Sequence, residues 1–353
     1  MKRSIAEKLF LLLFLPIIIG FYLIYKYPLW FVEADQVANT FYWFGKSTGF
    51  WYSTVYTGLV CFIAFKVFIS GKTPYGKNKT KEISSYQRKK FISIFLSQSI
   101  LFYIIPYFVP FFKNGGEFFS DTYYPINKNA YVYLYNGFTS TGGFIYIFII
   151  VPLSVWFFGK RYCSWFCACG NLSETIGITK WGNAWVTKLT PRGKLSEKLE
   201  GIQYLFVAFA IIFGFLLFFD AWKILSAGTL INSMRAVQDL VVDLLFGALI
   251  GIGAYPFLGT RIWCRYGCPL AGGMRLFGKY FKSKFKVVAN DKCRGLDLCT
   301  TVCPMGIDVG SYAHKDKKPL EGSFGLMETP CIGCGGCIDI CPVKAITFQK
   351  ILN

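Results

Sequence analysis

Near its C-terminal end the chain contains the cysteine-rich run Cys331-Ile-Gly-Cys334-Gly-Gly-Cys337-Ile-Asp-Ile-Cys341-Pro342. Its spacing is the Cys-x2-Cys-x2-Cys-x3-Cys-Pro pattern, whose thiolates bind iron–sulfur clusters. A loop that wraps several thiolates around one cluster must turn tightly, and three glycines between the cysteines allow this. The alternatives are a structural zinc site, which favours paired Cys or Cys/His knuckles, and a disulfide framework, which needs an oxidising compartment. The stretch therefore predicts an iron–sulfur site.

A second, incomplete copy lies upstream as Cys293-Arg-Gly-Leu296-Asp-Leu-Cys299-Thr-Thr-Val-Cys303-Pro304. Leucine stands at position 296, where the complete pattern has its second cysteine. In two-cluster ferredoxins, the fourth cysteine of each run binds the other cluster. The two runs therefore predict one complete [4Fe–4S] site, with the ligands Cys303, Cys331, Cys334 and Cys337.

The other predicted site keeps only three cysteines, which are Cys293, Cys299 and Cys341. Three thiolates suit a [3Fe–4S] cluster, or a second [4Fe–4S] cluster whose fourth iron takes a non-cysteine ligand. Asp297 is the nearest oxygen donor in the sequence, but it lies one position out of register. Because an apolar leucine supplies no ligand and keeps water away, we expect the [3Fe–4S] form here.

The rest of the chain has the composition of a polytopic membrane protein. Hydrophobic residues make up 54% of the 353 positions and charged residues only 16%. The apolar residues come in runs of about twenty, which is the length that crosses a bilayer. These runs predict six transmembrane helices, at 9–25, 49–70, 91–112, 137–158, 201–219 and 240–258. The first run resembles a signal peptide, but the nearest small-residue site ends at Ala34, well beyond it, so we expect this helix to be retained.

The basic residues lie between the apolar runs and orient them. Seven Lys and Arg residues occur in each of the segments 71–90, 159–200 and 259–290, and two in each of 26–48, 113–130 and 220–239. Because positively charged loops stay cytoplasmic, we expect both termini and the ferredoxin-like segment on the cytoplasmic side. The membrane is expected to be the inner membrane of a bacterium. Thiols stay reduced in the cytoplasm. This distribution explains the net charge of +19 without nucleic acid, which we do not expect as a partner.

The chain divides into three predicted regions. Residues 1–90 hold two transmembrane helices and a basic loop, residues 91–284 hold a four-helix membrane core, and residues 285–353 hold a ferredoxin-like domain. The segments 285–288 and 345–348 are rich in β-forming residues and are expected to pair in a small sheet. The predicted fold is a membrane all-α bundle with a small C-terminal α+β domain.

A cysteine motif occurs twice at predicted helix ends. The copies read Gly159-Lys-Arg161-Tyr-Cys163-Ser-Trp-Phe-Cys167-Ala168-Cys169 and Gly259-Thr-Arg261-Ile-Trp-Cys264-Arg-Tyr-Gly-Cys268-Pro269. Both follow helices that cross in the same direction, which predicts an internal parallel repeat of helices 3–4 and 5–6. Cys-x3-Cys on one helix places both sulfurs on one face. We expect the four cysteines to bind a further iron–sulfur cluster, with Cys169 as an extra candidate ligand; buried, inert thiols are the alternative.

Three other residues carry expectations. Cys61 lies among apolar residues of helix 2 and is expected to pack there, and His314, the only histidine, lies in a charged stretch and is expected to be solvated. With one histidine and no Cys-x-x-Cys-His motif, we expect no haem. Asp243 lies inside predicted helix 6, where a carboxylate is costly, and is a candidate to accept a proton from quinol. A hydrated position near the outer interface is the equal alternative.

Two Cys-x3-Cys motifs at helix ends, followed by two ferredoxin runs, resemble the polyferredoxin-type membrane proteins grouped as the NapH/NosR/CcoG family. The resemblance extends from helix 3 to the C-terminus. Ala168 stands where the first motif would have proline, Leu296 replaces a cluster cysteine, and we expect no NosR-like flavin domain.

The resemblance to NapH-like members implies an iron–sulfur subunit that lies in lipid, oxidises quinol and passes electrons to a redox partner. Such a subunit supplies positions and potentials for its clusters rather than bond-making residues. A CcoG-like reductase or assembly factor for copper is the alternative, and an iron–sulfur redox sensor is a third.

Overall fold

The computed structural model describes residues 16, 19–72, 82–107, 141–177, 190–226, 228–253, 255, 259 and 261–349. The helices of the N-terminal and membrane parts are α1 (Val37–Phe41), α2 (Thr48–Ser70), α3 (Ser85–Tyr107), α4 (Thr141–Trp165), α5 (Ala168–Ile176), α6 (Gly193–Ala221), α7 (Gly228–Val237), α8 (Gln238–Gly253), α9 (Trp263–Gly267) and α10 (Pro269–Tyr280). Two short strands, β1 (Tyr42–Trp43) and β2 (Lys46–Ser47), form a hairpin before α2.

Within these residues, α2, α3, α4 and α6 are long and apolar enough to cross a membrane. They coincide with the predicted helices 2 to 5, although α3 begins earlier and α6 is longer than predicted. About half of predicted helix 1 lies outside the described residues, and residues 19–25 of it are helical. Predicted helix 6 overlaps α8, which continues directly from α7 in the wide π geometry, and most of 254–258 is not described.

Serine caps fix where the first two of these helices begin. The Ser47 hydroxyl accepts a hydrogen bond from Phe50 N at 3.3 Å, and Ser84 accepts one from Gln87 N at 3.3 Å. Each bond satisfies a backbone N–H that has no partner within its helix, which stabilises the helix by about 1 kcal/mol. At its other end, α2 stops at Gly71, which adopts φ 63°. Helix α2 packs along α3, and the start of α3 contacts the C-terminal domain, where Ser84 N donates to Asp339 Oδ1 at 3.2 Å.

The C-terminal domain is built on a three-stranded antiparallel sheet. Its strands and helices are β3 (Lys286–Ala289), α11 (Leu298–Thr301), α12 (Gly310–Ala313), β4 (His314–Lys315), β5 (Lys318–Pro319), β6 (Ser323–Gly325), α13 (Gly336–Ile340) and β7 (Ile346–Phe348). The sheet order is β6-β3-β7, with Val287 opposite both Phe324 and Phe348. The predicted pairing of the two ends of this domain is therefore confirmed.

One hydrophobic core continues from the membrane helices into this domain. It includes Val155, Phe213, Met274, Phe285 and Ile332. Phe285 is only 1% exposed and lies beneath Gly159, where a Cβ atom would stand 2.6 Å from the Phe285 ring. Burying such a ring stabilises the fold by about 2–3 kcal/mol. The domain is thus packed against the ends of the membrane helices.

Candidate iron–sulfur sites

The four predicted ligands of the complete site surround one cavity. Cys303, Cys331, Cys334 and Cys337, here called the proximal set, line a small cavity of about 20 Å³ together with apolar side chains of the sheet. The four thiols lie within electrostatic reach of one another. The structure therefore brings together the cysteines that the two sequence runs contribute jointly.

Glycines shape the loop that carries three of these thiols. Gly333 has φ 60° and Gly335 has φ 75°, in the left-handed region that favours glycine. A Cβ atom at either position would also lie 2.8 Å from a membrane-side residue, namely Arg161 or Tyr86. The N–H of Gly333 points at the sulfur of Cys331, at 3.4 Å. The loop thus curls around the cavity and presses against the helices at the same time.

The incomplete run forms a neighbouring cavity. Cys293, Cys299 and Cys341, here called the distal set, line it together with Leu296, Asp297 and His314. Helix α13, which carries Cys337, packs against α11, which carries Cys299, so the two cavities adjoin.

Two expectations about the distal cavity change. The Leu296 side chain is 57% exposed, so it covers the vacant corner only in part. His314 is not a solvated side chain as expected: it is 15% exposed, and its Nε2 atom lies 2.9 Å from Asp297 Oδ1. The expectation was wrong because the charged stretch around His314 folds back over the distal cavity.

The helix-end cysteines also converge. Cys163, Cys167, Cys169, Cys264 and Cys268, here called the membrane-edge set, lie within electrostatic reach of one another, and the thiols of Cys167 and Cys169 hydrogen-bond. Their convergence does not arise from a shared helix face, which corrects the sequence argument. In each motif the first cysteine lies in one helix, and the second precedes the next.

Two features of the local geometry recur in both copies of the motif. Each leading glycine has a positive φ, 65° at Gly159 and 104° at Gly259. Each second cysteine is an extended N-cap residue, with φ −64° and ψ 128° at Cys167 and φ −69° and ψ 114° at Cys268. A helix N-terminus favours negative charge, and thus a thiolate. The repeat of whole helices stays a prediction.

The protonation of the thiols reflects their burial. Burial raises the pKa of Cys299 to about 11 and that of Cys334 to about 12. Cys167 differs, because the hydrogen bond from the Cys169 thiol lowers its pKa to about 7. Without a metal the buried thiols would therefore stay protonated, and binding iron as thiolates requires compensating positive charge nearby.

Buried cations supply that charge. Lys160 is fully buried, and within the described residues its Nζ atom has no hydrogen-bond partner. It interacts electrostatically with Cys163, Cys264 and Cys331, and so lies between the membrane-edge and proximal sets. Arg265 and Arg275 likewise have buried guanidinium nitrogens without a partner in the part of the chain described. Buried charges require opposite charge, and thiolate-bound iron–sulfur clusters provide it.

The donor chemistry therefore fits iron–sulfur clusters at all three sets. Soft thiolates are the ligands that such clusters take, and backbone N–H groups approach the sulfurs of Cys268 at 3.5 Å and Cys341 at 3.3 Å. Among the described residues, no three Cys, His, Asp or Glu side chains are grouped tightly enough to hold a single metal ion. The thiolates of a cluster bind separate iron atoms, so they lie farther apart than the ligands of one ion.

A buried ion cluster ties two of the sets together. Glu174 accepts hydrogen bonds from Lys90 Nζ, at 2.7 Å, and from Arg261, and all three side chains are at most 4% exposed. Lys90 also donates to the carbonyl of Cys334 at 3.0 Å, and Arg261 donates to that of Cys163 at 2.9 Å. Sequence reasoning missed this cluster. Glu174 is the only acidic residue between Gly159 and Ser196, and this isolated position in the sequence could have marked it as a candidate for ion pairing.

The remaining candidates lie apart from the cysteine sets. Asp243 is 7% exposed and forms an ion pair with Lys26, whose Nζ atom lies 2.6 Å from Asp243 Oδ2. This pair accounts for a carboxylate in an apolar helix without assigning it proton chemistry. Cys61 packs near Phe95, with its sulfur 3.8 Å from the carbonyl oxygen.

Comparison with known proteins supports the iron–sulfur interpretation. Residues 285–342 match the family described as "4Fe-4S dicluster domain". The protein YccM of Escherichia coli is 28% identical over 211 residues, 57% of this chain and 54% of its own length. The ferredoxin-type protein NapH of Haemophilus influenzae is 26% identical over 196 residues, 54% of this chain and 62% of its own length.

A shorter match covers part of a larger redox assembly. One component of the ion-translocating oxidoreductase complex of Aliivibrio fischeri is 48% identical over 42 residues, 12% of this chain and 22% of its own length. The chain spans less than two thirds of the length of all three relatives. No solved structure gives a significant match. These findings confirm the resemblance to NapH-like polyferredoxin membrane proteins.

Proposed function

We propose that this relative of the ferredoxin-type membrane proteins is an electron-transfer subunit that links the quinone pool to a partner oxidoreductase. One relative is named as a ferredoxin-type protein and another as a component of an oxidoreductase complex, which supports the electron-transfer role. The quinone and the partner are inferred from the arrangement of the sites.

The observation that carries the proposal is that three thiol sets follow one another from the helix ends outward. Lys160 lies between the membrane-edge and proximal sets, and the cluster of Lys90, Glu174 and Arg261 joins backbone carbonyls of both. Cys337 and Cys299 join the proximal and distal sets. A soluble ferredoxin domain alone needs no thiols at the ends of membrane helices.

Each set has surroundings suited to its position. Cys163 and Cys264 are each 5% exposed, at the ends of apolar helices where a lipid-soluble quinol has access. Cys293 of the distal set is partly exposed to solvent, and so is Leu296 beside it. A protein partner has access from this side. When bound, iron–sulfur clusters supply single-electron transfer, at potentials set by cluster type, net charge, hydrogen bonds and exposure. The chain's own residues hold the thiols, exclude water and supply positive charge.

We place this relay in a bacterial inner membrane, with the C-terminal domain on the cytoplasmic side, as the Lys and Arg distribution indicates. Asp243 remains the proposed proton acceptor for quinol.

The proposal is tested with full-length protein, purified without air and placed in lipid nanodiscs. Addition of a quinol should reduce the bound clusters, as followed by absorbance and by electron paramagnetic resonance (EPR). The Cys264→Ser protein should keep the signals of its C-terminal domain but lose their reduction by quinol. Reduction by dithionite but never by quinol would contradict the quinone link, and copper(II) reduction without quinol would favour the CcoG-like alternative.

A further inference from the structure

We propose that His314 is the fourth ligand of the distal cluster, through its Nδ1 atom, and that Asp297 positions the imidazole without binding iron itself. The inference rests on the proposed function in one respect, because it assumes that the distal set binds a cluster. It replaces the vacant corner expected from Leu296 with a specific donor.

The distal cavity contains one unused donor of the right kind. His314 lines the same cavity as Cys293, Cys299 and Cys341. Its Nδ1 atom is buried and has no hydrogen-bond partner among the described residues. A buried polar atom without a partner is costly, and its lone pair is satisfied if it binds iron. Imidazole is a known substitute for thiolate in iron–sulfur centres.

The second ring nitrogen fixes which atom is free to bind. His314 Nε2 lies 2.9 Å from Asp297 Oδ1, so the carboxylate accepts the Nε2 proton and leaves the lone pair on Nδ1. Histidine ligands of metals commonly donate their other N–H to a carboxylate in this way, which orients the ring and raises its basicity. The pair therefore has the form of a metal-ligating histidine with its supporting carboxylate.

The local fold holds this pair in place. Helix α12 ends one residue before His314, and its first N–H, from Gly310, donates to Thr300 Oγ1 at 2.8 Å. This bond fastens α12 against α11, which begins beside Asp297. Gly310 has no side chain at the point where a Cβ atom would collide with Asp297 Oδ1. The approach of Asp297 to His314 therefore depends on a glycine at position 310.

The other neighbours of the vacant corner are less suited to bind iron. Leu296 has no donor atom. Asp297 directs its Oδ1 atom to His314, and its side chain is 53% exposed, so binding iron itself would break the pair. A neutral imidazole in place of a thiolate also removes one negative charge, which raises the reduction potential of a cluster. The distal site would then attract electrons outward from the proximal site.

The test uses full-length protein purified without air, with and without ¹⁵N-labelled histidine. Pulsed EPR of the reduced protein should detect a nitrogen strongly coupled to one cluster, and the coupling should change with the label. His314→Ala should lose this coupling and give a three-iron signal when oxidised, while the proximal four-iron signal remains. Lys315→Ala, the exposed next residue of β4, is the matched control and should resemble the wild type.

The role of Asp297 needs a separate pair of variants. Asp297→Asn keeps an oxygen that accepts the Nε2 proton and should retain the nitrogen coupling. Asp297→Ala removes it and should weaken the coupling and increase the three-iron fraction. Equal loss in both variants would indicate that Asp297 binds iron, which would overturn its assigned role.

Two results would overturn the ligand assignment while leaving the proposed function intact. One is a three-iron signal in air-free wild-type protein without nitrogen coupling, and the other is a complete four-iron distal cluster without it. Iron and sulfide contents that leave the distal set without any cluster would overturn both this inference and that part of the proposed function.

Discussion

Replacing Glu174 by glutamine should destabilise the protein by about 3–5 kcal/mol, because removing one partner of a buried ion pair leaves the other charge uncompensated. Lys90, Glu174 and Arg261 are 0%, 4% and 1% exposed, so water cannot take over the role of the carboxylate. The substitution keeps the shape of the side chain and removes only its charge. A loss of about 3 kcal/mol lowers the folding equilibrium constant roughly a hundredfold.

The assay is the free energy of unfolding in mixed micelles, titrated with a denaturing detergent and followed by tryptophan fluorescence. Glu197→Gln is the matched control, because Glu197 is exposed, and its change should stay within about 0.5 kcal/mol. In the double variant Glu174→Gln/Lys90→Met, part of the loss should be recovered, since one unpaired buried charge is removed.

The same cluster gives a pH dependence. Burial alone would raise the pKa of Glu174, but the charges of Lys90 and Arg261 lower it below its ordinary value. A lowered folded-state pKa stabilises the protein above the unfolded-state pKa, and this contribution is lost as the pH falls through the folded-state pKa. Wild type should therefore lose stability in acid more steeply than Glu174→Gln. Equal stabilities of Glu174→Gln and Glu197→Gln at neutral pH would show that the buried charge of Glu174 does not stabilise the protein.

Three further predictions concern the cysteine sets and the orientation of the chain. Cys264→Ser should lower the iron and sulfide contents by one cluster, because a lost thiolate opens an iron site; unchanged contents would mean that the membrane-edge thiols only pack. Lys160→Met should shift cluster potentials in a redox titration downward by on the order of 100 mV, because a buried positive charge near the clusters favours the reduced state by a few kcal/mol; unchanged potentials would contradict this. A reporter fused after Lys72 or at Asn353 should be cytoplasmic, and protease access to the Asn353 fusion from the outer face would reverse the orientation.

Structural features that follow from a fixed period or spacing in the sequence were predicted well. Helices α2 and α6 follow from apolar runs that match the thickness of a bilayer, whatever their neighbours are. The ligand spacing of the two runs implied that Cys303 joins Cys331, and the structure places them at one cavity. Strand pairing between β3 and β7 followed from β-forming residues at both ends of the domain.

Features that depend on long-range contacts were not predictable in this way. The structure places His314 beside Asp297, and Gly310 of α12 hydrogen-bonds to Thr300 of α11; a charged sequence around a histidine carries no sign of such contacts. Lys90 lies 84 positions from Glu174, so their pairing appears in no local pattern. The Cys-x3-Cys motifs were interpreted as single helices, because the extended ψ angles of 128° at Cys167 and 114° at Cys268 are conformations that a spacing does not encode.

The proposed relay, in which thiols at the helix ends extend the two ferredoxin sites towards the membrane, requires a cluster at each of the three thiol sets. It is tested most directly by iron and sulfide analysis together with Mössbauer spectroscopy of the air-free, full-length protein. We expect three distinct clusters, with about twelve iron atoms per chain and each iron in a thiolate-rich environment. About eight iron atoms in two clusters, unchanged when Cys264 is replaced, would contradict it.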